Sequence, residues 1–134
     1  PSPHPRAITP HPGEAGRLLG KTSAEVQADR LGTIHALGLL APALLKGRHT
    51  LISGAPPSLN PTGHPGLAVA GAGDVLTGLV GGLLAQGLSP QDALCVGAYV
   101  HGLAADQLGP GPFTASELAH ALPKALRTLK EGPC

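Results

Sequence analysis

Apolar residues divide this chain into runs of two kinds, one at helical spacing and one continuous and short. After Thr22 the apolar positions are Val26, Leu31, Ile34, Leu37 and Leu40, close to the helical period, which predicts one amphipathic helix. Thr22-Ser23-Ala24-Glu25 opens it as a capping box, and Pro42 marks its end. Upstream, residues 1–7 read as an extended Pro-rich lead, and Ala7-Ile8-Thr9 as a short strand stopped by Pro10. Pro12-Gly13 then sets a turn into a short helix through Leu19, with Glu14 in its first turn and Gly20 placed to terminate it.

The continuous runs follow. Ala43-Leu44-Leu45 has the length and character of a strand buried on both faces, and Leu51-Ile52-Ser53 and Ser58-Leu59-Asn60 read as two more strands. From Asp74 to about Gln86 the period is helical again, ended by Gly87. That helix is apolar almost all round, which predicts burial. Its Gly78, Gly81 and Gly82 each cost about 1 kcal/mol of helix propensity, a cost that makes sense if another backbone packs close. Ser89-Pro90-Gln91-Asp92 starts a further helix running to about Leu108, and Thr114-Ala115-Ser116-Glu117 caps the last, in which Pro123 predicts a kink or a restart. The order of elements is α/β or α+β, with few strand residues for so much apolar helix.

Composition narrows the function. At 134 residues the chain has the size of one modest domain, 42% hydrophobic and 13% charged. A net charge of +1 with scattered basic residues makes no electrostatic case for nucleic acid, and one Tyr, one Phe and no Trp provide no stacking surface for bases. No run approaches the roughly 20 apolar residues of a membrane span, and Pro1–Pro5 is no signal peptide, so a cytoplasmic protein is the default expectation. Cys95, in an apolar helical run, reads as a buried thiol, and Cys134 as a mobile terminal one. The histidines show no metal-ligand spacing. The chain contains no Met and begins with Pro, which together with the shortage of strands points to a piece of something longer.

The candidate chemistry centres on Asn60 to Gly78. A Gly/Pro-rich loop runs into Gly71-Ala72-Gly73-Asp74 at the start of the apolar helix. Gly71 and Gly73 lack the Cβ atoms that would keep a ligand off the backbone, and the free N–H groups of a first helical turn attract anions. Asp74 there is either a helix cap or a base beside an anion hole, as phosphoryl transfer to a hydroxyl requires. Lys46-Gly47-Arg48-His49-Thr50, between two strands, is either a plain hairpin or a nucleotide site in which Lys46 supplies charge and Gly47 close approach. His11, between Pro10 and Pro12, reads as a rigid loop histidine. Glu14 and Arg17 form an exposed i,i+3 pair, Tyr99 and His101 sit at the edge of the core, and Asp106 near a helix C-terminus calls for a partner.

Together, Thr9-Pro10-His11-Pro12-Gly13-Glu14, Lys46-Gly47-x-x-Thr50, Asn60-Pro61-Thr62-Gly63, Gly71-x-Gly73-Asp74-Val75-Leu76-Thr77-Gly78 and His101-Gly102-x-Ala104 resemble the ADP-dependent NAD(P)H-hydrate dehydratases. The resemblance runs from about residue 6 to residue 130 and implies a ribokinase-like three-layer α/β fold, of which this chain would hold the C-terminal half. It also implies an activity, the repair of hydrated NADH and NADPH. A phosphoryl group passes from ADP, or ATP, to the C6 hydroxyl, phosphate leaves, and the dihydronicotinamide is restored. By resemblance Asp74 is the base and contacts the substrate, and His11 contacts the hydrated dinucleotide. Lys46, Gly47, Arg48, His49, Thr50 and Gly73 line the adenine nucleotide, and Gly71, Ala72 and Gly73 form the anion hole. Mg2+ is expected with the nucleotide, and no metal site built from protein ligands alone.

The chain departs from the family pattern at three places: Ala72 stands for a serine, His64-Pro65-Gly66 for Asn-Pro-Gly, and Arg48-His49 for a pair of small residues. The family domain is also longer. Its N-terminal half carries much of the sheet, so this chain alone is expected to expose apolar helix faces and to be marginally stable or homo-oligomeric. Small molecules are the expected partners, with neither nucleic acid nor membrane, and an NAD(P)H-hydrate epimerase domain is a further expected partner, fused or separate. The competing readings are a ribokinase-like kinase of a vitamin precursor, which shares the glycine turn and the base but not Thr9–Glu14, and an inactive nucleotide-binding remnant.

Overall fold

The computed structural model describes residues 4–130, so Cys134 and the first three residues of the Pro-rich lead lie outside the described residues. The elements in chain order are α1 (Pro12–Leu19), α2 (Ser23–Ala28), α3 (Arg30–Leu40), β1 (Leu44–Leu45), β2 (Leu51–Ile52), β3 (Ser58–Leu59), a 3-10 turn (Pro65–Leu67), α4 (Ala72–Ala85), α5 (Pro90–Leu108) and α6 (Ala115–Lys130). The three strands form an antiparallel meander in the order β1-β2-β3, with Leu45 opposite Leu51 and Leu51 opposite Leu59. Ala7–Thr9 contributes a single parallel bridge, Ile8 to Ala43, rather than a full strand. Leu44 and Leu45 are both fully buried, as a strand covered on both faces requires. Burial of each stabilises the fold by about 1.5–3 kcal/mol.

The helix expected from Thr22 to Pro42 is two helices. The capping box is present, with the Thr22 N–H donating to Glu25 Oε2 at 2.7 Å and the Glu25 N–H to Thr22 Oγ1 at 3.2 Å. Asp29 then breaks the run at φ −134°, ψ 73° and starts α3, its Oδ1 accepting the Gly32 N–H at 2.8 Å. The break changes which apolar residues face inward. Val26, Ile34 and Leu37 are buried, whereas Leu31 and Leu40 are about 60% exposed.

In α4 the expectation of complete burial fails. Ala72, Leu76, Val80 and Leu83 face the core, while Gly78, Gly81 and Gly82 have open space where a Cβ would project. Among the described residues no second backbone packs on these glycines. The close approaches occur on α5 instead. A Cβ on Gly97 would come within 2.7 Å of Val80, and one on Gly102 would overlap Thr62. Helix α6 runs through Pro123 without restarting, and its Thr114–Glu117 cap forms as expected. Cys95 is half-buried and unpaired with another cysteine, and burial pushes its thiol pKa up. Several large apolar side chains face solvent, Leu39 at the end of α3 most of all.

Candidate functional site

A cleft of about 770 Å³ opens where four segments converge: the β1–β2 loop (Lys46 to Thr50), the long loop from Asn60 to Ala68, the first turn of α4, and the middle of α5. Lys46, Arg48, His49, His64 and His101 line it, and no acidic side chain does among the described residues. That balance favours an anionic ligand. The volume lies within the range of small-molecule sites.

The β1–β2 loop is both a hairpin and a wall of the cleft, so its two sequence readings are compatible. Gly47 at φ +138° and His49 at φ +57° occupy backbone regions that make the turn tight. Arg30 holds it there. Its guanidinium donates to the carbonyls of Leu45, Lys46 and His49 at 3.3–3.4 Å, and to Gln27 Oε1 at 3.0 Å. This residue escaped sequence reasoning, because only folding brings α3 against the hairpin. A single Arg beside a helix cap gave no signal.

The Asn60–Gly66 loop is tied to α5. Asn60 Nδ2 donates to Ala98 O at 3.2 Å, Thr62 Oγ1 to Tyr99 O at 2.8 Å, and the Gly63 N–H to Asp106 Oδ2 at 3.0 Å. The Gly63 amide is thus the partner that Asp106 called for. His64 accepts the Gly66 N–H through Nδ1 at 3.0 Å, which leaves Nε2–H to donate to Ala105 O at 3.0 Å. Its ring also meets Phe113 edge-on, with centroids 5.9 Å apart. The histidine in the Asn-Pro-Gly position therefore anchors the loop.

At the head of α4, Gly71 is the N-cap at φ +84°. The Ala72 N–H donates to Val69 O at 3.2 Å and the Asp74 N–H to Gly71 O at 3.0 Å. Of the three amides expected to form an anion hole, Gly71, Ala72 and Gly73, only that of Ala72 is engaged. The N–H groups of Gly71 and Gly73 have no acceptor among the described residues, and that of Gly73 belongs to the first turn of the helix itself. Lys46 Nζ lies 3.0 Å from the point where a Gly73 Cβ would stand. Asp74 is exposed at the third helical position, next to the cleft wall made by Ala72 and Gly73 rather than part of it.

His11 caps α1. Its Nδ1 accepts the Gly13 and Glu14 N–H groups at 3.0 and 3.2 Å, which puts the ring proton on Nε2. It does not line the cleft. Glu14 connects it to the cleft all the same. Glu14 Oε2 accepts the His11 N–H at 2.7 Å and lies 3.6 Å from Lys46 Nζ. The pairing of Glu14 with Arg17 drawn from spacing is replaced by this contact with Lys46. The His11 N–H bond, reinforced by Lys46, holds the Glu14 carboxyl below its ordinary pKa. Thr9 Oγ1 and Thr77 Oγ1, 3.2 Å apart, join the same segment to α4 one turn beyond Gly73.

His101 is buried, with Nε2 2.9 Å from Ala72 O. Burial lowers its pKa, so the ring is neutral near pH 7. Among the described residues no three His, Cys, Asp or Glu side chains gather as a metal site, and no helix is long and apolar enough to cross a membrane.

Known proteins resemble this chain in sequence and in fold. The chain is 47% identical over 135 residues to the bifunctional NAD(P)H-hydrate repair enzyme Nnr of Moorella thermoacetica, covering 95% of this chain and 26% of that protein. It is 44% identical over 128 residues to the ADP-dependent (S)-NAD(P)H-hydrate dehydratase of Neisseria meningitidis, covering 92% and 43%. The Bacillus subtilis ADP/ATP-dependent NAD(P)H-hydrate dehydratase, co-crystallised with ATP/Mg2+ and soaked with CoA, superposes with a TM-score of 0.83 at 34% identity. That match covers 92% of this chain and 48% of the solved one, and a ribokinase-like superfamily protein of Enterococcus faecalis matches at a TM-score of 0.71. The chain thus spans less than half the length of these relatives. With a family profile described as NAD(P)H-hydrate dehydratase matching residues 2–127, the chain belongs to the NAD(P)H-hydrate dehydratase family and has its ribokinase-like α/β fold.

Proposed function

We propose that this chain carries the phosphoryl-transfer corner of an ADP-dependent NAD(P)H-hydrate dehydratase. One observation carries the reading: Lys46 Nζ stands over Gly73, whose N–H is free, with the Asp74 carboxylate on the next residue. A cation and a backbone donor meet there, as a terminal phosphoryl group needs. Arg48, His49 and Thr50 continue the wall along which the adenine nucleotide lies. Asp74, exposed and adjacent, takes the proton of the C6 hydroxyl as the hydroxyl oxygen attacks the terminal phosphorus of ADP and the bridging P–O bond breaks to release AMP. The C6–O bond then breaks to release phosphate, a proton leaves C5 to solvent, and the resulting double bond restores the dihydronicotinamide. His11 contacts the dinucleotide from the side of α1, and Glu14 keeps that segment in register with Lys46.

The residues present fit Mg2+ only as an ion carried by the nucleotide. Asp74 is one carboxylate, Glu14 is engaged by Lys46 and His11, and Mg2+ at phosphates commonly takes one or two carboxylates and waters. Bound there, the ion would neutralise phosphate charge. The remainder of a domain twice this chain's length would complete the substrate side of the cleft, since the chain spans 48% of the solved B. subtilis protein. The Moorella relative's bifunctional name supports fusion to an epimerase.

The test is restoration of NADH absorbance from hydrated NADH by the full-length protein with ADP as donor. Asp74→Asn is expected to lower turnover at least about 100-fold with ADP affinity within about threefold, the scale of general-base catalysis. Retained turnover in this variant would remove Asp74 as the base. Phosphorylation of a vitamin precursor without NADH restoration would establish the kinase reading instead.

A further inference from the structure

His101 is a polar side chain inside an otherwise apolar stretch of α5, between Val100 and the Ala104–Ala105 pair, all buried. Its ring is neutral near pH 7 and so carries one N–H. A carbonyl can only accept, so that proton is on Nε2 and is donated to Ala72 O at 2.9 Å. This carbonyl shares a peptide unit with the Gly73 N–H. The peptide is trans, since the cis bonds among the described residues are Ala55–Pro56 and Gly111–Pro112. In a trans peptide the C=O and the N–H lie in one plane and point in opposite directions. A donor on the carbonyl therefore sets the direction of the amide on the other edge. It also polarises the amide, because hydrogen bonds in series strengthen one another.

We propose that His101 is a positioning residue that orients the Ala72–Gly73 peptide, so that the Gly73 N–H is presented as a fixed donor to an anionic phosphoryl group. Two observations bear on this independently of the helix terminus. His101 lines the same cleft as Gly73, and the amide it backs lacks an acceptor where both flanking amides, of Ala72 and Asp74, have one. Gly102, the next residue, packs against Thr62 so closely that a Cβ would overlap it, which locks α5 at this point. The ring is thus held by a rigid element on one side and grips the helix head on the other. The inference rests on phosphoryl binding at Gly73 in the proposed function, but not on the identity of the hydroxyl that accepts the group.

The experiment compares His101→Phe and His101→Gln in the full-length protein. Phe fills the space without a donor, and Gln restores an N–H. His101→Phe is expected to lower kcat for NADH restoration about 10- to 100-fold, below the roughly 100- to 1,000-fold cost of deleting an oxyanion donor outright. His101→Gln is expected to recover most of that loss. The 15N resonance of the Gly73 amide is expected to shift in the Phe variant and to return toward the wild-type position with Gln. Equal impairment of Phe and Gln, or an unmoved Gly73 resonance, overturns the positioning role and leaves His101 as packing. If the wild-type protein binds ADP without restoring NADH, the dehydratase reading fails, and weaker ADP binding in the Phe variant alone still supports this inference. If the wild-type protein binds no ADP, both fall.

Discussion

Lys46 Nζ lies 3.0 Å from the position a Cβ would take on Gly73, so the absence of a side chain at Gly73 is what lets the ammonium approach the head of α4. The contact is with the far end of a flexible side chain, and Gly73 does not have positive φ. Gly73→Ala is therefore expected to fold, and to gain up to about 1 kcal/mol of helix propensity. It pushes Lys46 aside and covers the free amide, so ADP affinity should fall about tenfold, or about 1.4 kcal/mol. Calorimetric titration with ADP beside a urea unfolding curve checks both signs. Unchanged affinity would show that the nucleotide binds elsewhere.

Arg30 is expected to act on the nucleotide without touching it. Its guanidinium gathers three loop carbonyls that point-charge ammonium chemistry cannot span at once. Arg30→Ala should cost about 1.5–3 kcal/mol of stability, the range for hydrogen bonds to a charged group. ADP binding should weaken as Gly47 and His49 leave their strained conformations. Arg30→Lys should recover little of either. Full recovery with Lys would mean that charge, not the fork, holds the loop.

Glu14 makes a pH prediction. Its folded-state pKa is depressed, first by the His11 N–H bond, below the ordinary 4.5. The stability it contributes is therefore fully present above pH 4.5, and is lost as pH falls through the lower folded value. The melting temperature of the wild type should exceed that of Glu14→Gln near neutrality, and the two should converge in acid. The group is nearly half exposed, so the difference will be modest and will shrink in salt. A gap that widens toward acid would contradict this sign.

Glycines on α4 and α5 should respond oppositely to alanine in this chain. Gly82 has open space, and Gly82→Ala should stabilise the helix by up to about 1 kcal/mol. Gly102→Ala drives a Cβ into the Thr62 backbone and should cost about 1–3 kcal/mol, as overpacking does. Urea unfolding of the two variants measures the contrast. Destabilisation by Gly82→Ala instead would show that the open face of α4 is covered in solution.

The local elements were legible because their causes are local. The Thr22–Glu25 and Thr114–Glu117 boxes, Ser89 before Pro90, and Gly20 and Gly87 past helix ends act over three or four residues, and each formed as expected. The cleft-lining stretches were legible as well, through glycine turns and the family pattern. The break at Asp29 was not. A side chain that can cap a helix competes with the helical period, and the period alone carries no record of which prevails.

By itself the sequence determined the order of elements apart from the break at Asp29 and the single bridge at Ile8, the turn from Gly71 to Asp74, and the family to which the chain belongs. Tertiary structure decided who faces whom. Arg30 reaches the hairpin, Glu14 reaches Lys46, Asp106 takes the Gly63 amide, and His101 takes the Ala72 carbonyl. Each joins residues 15 or more apart in the chain, and packing of the apolar faces between them is what brings the two ends together. The polar spacing along the chain does not encode such a contact. The geometry of the folded core sets it, by fixing which helix end meets which loop.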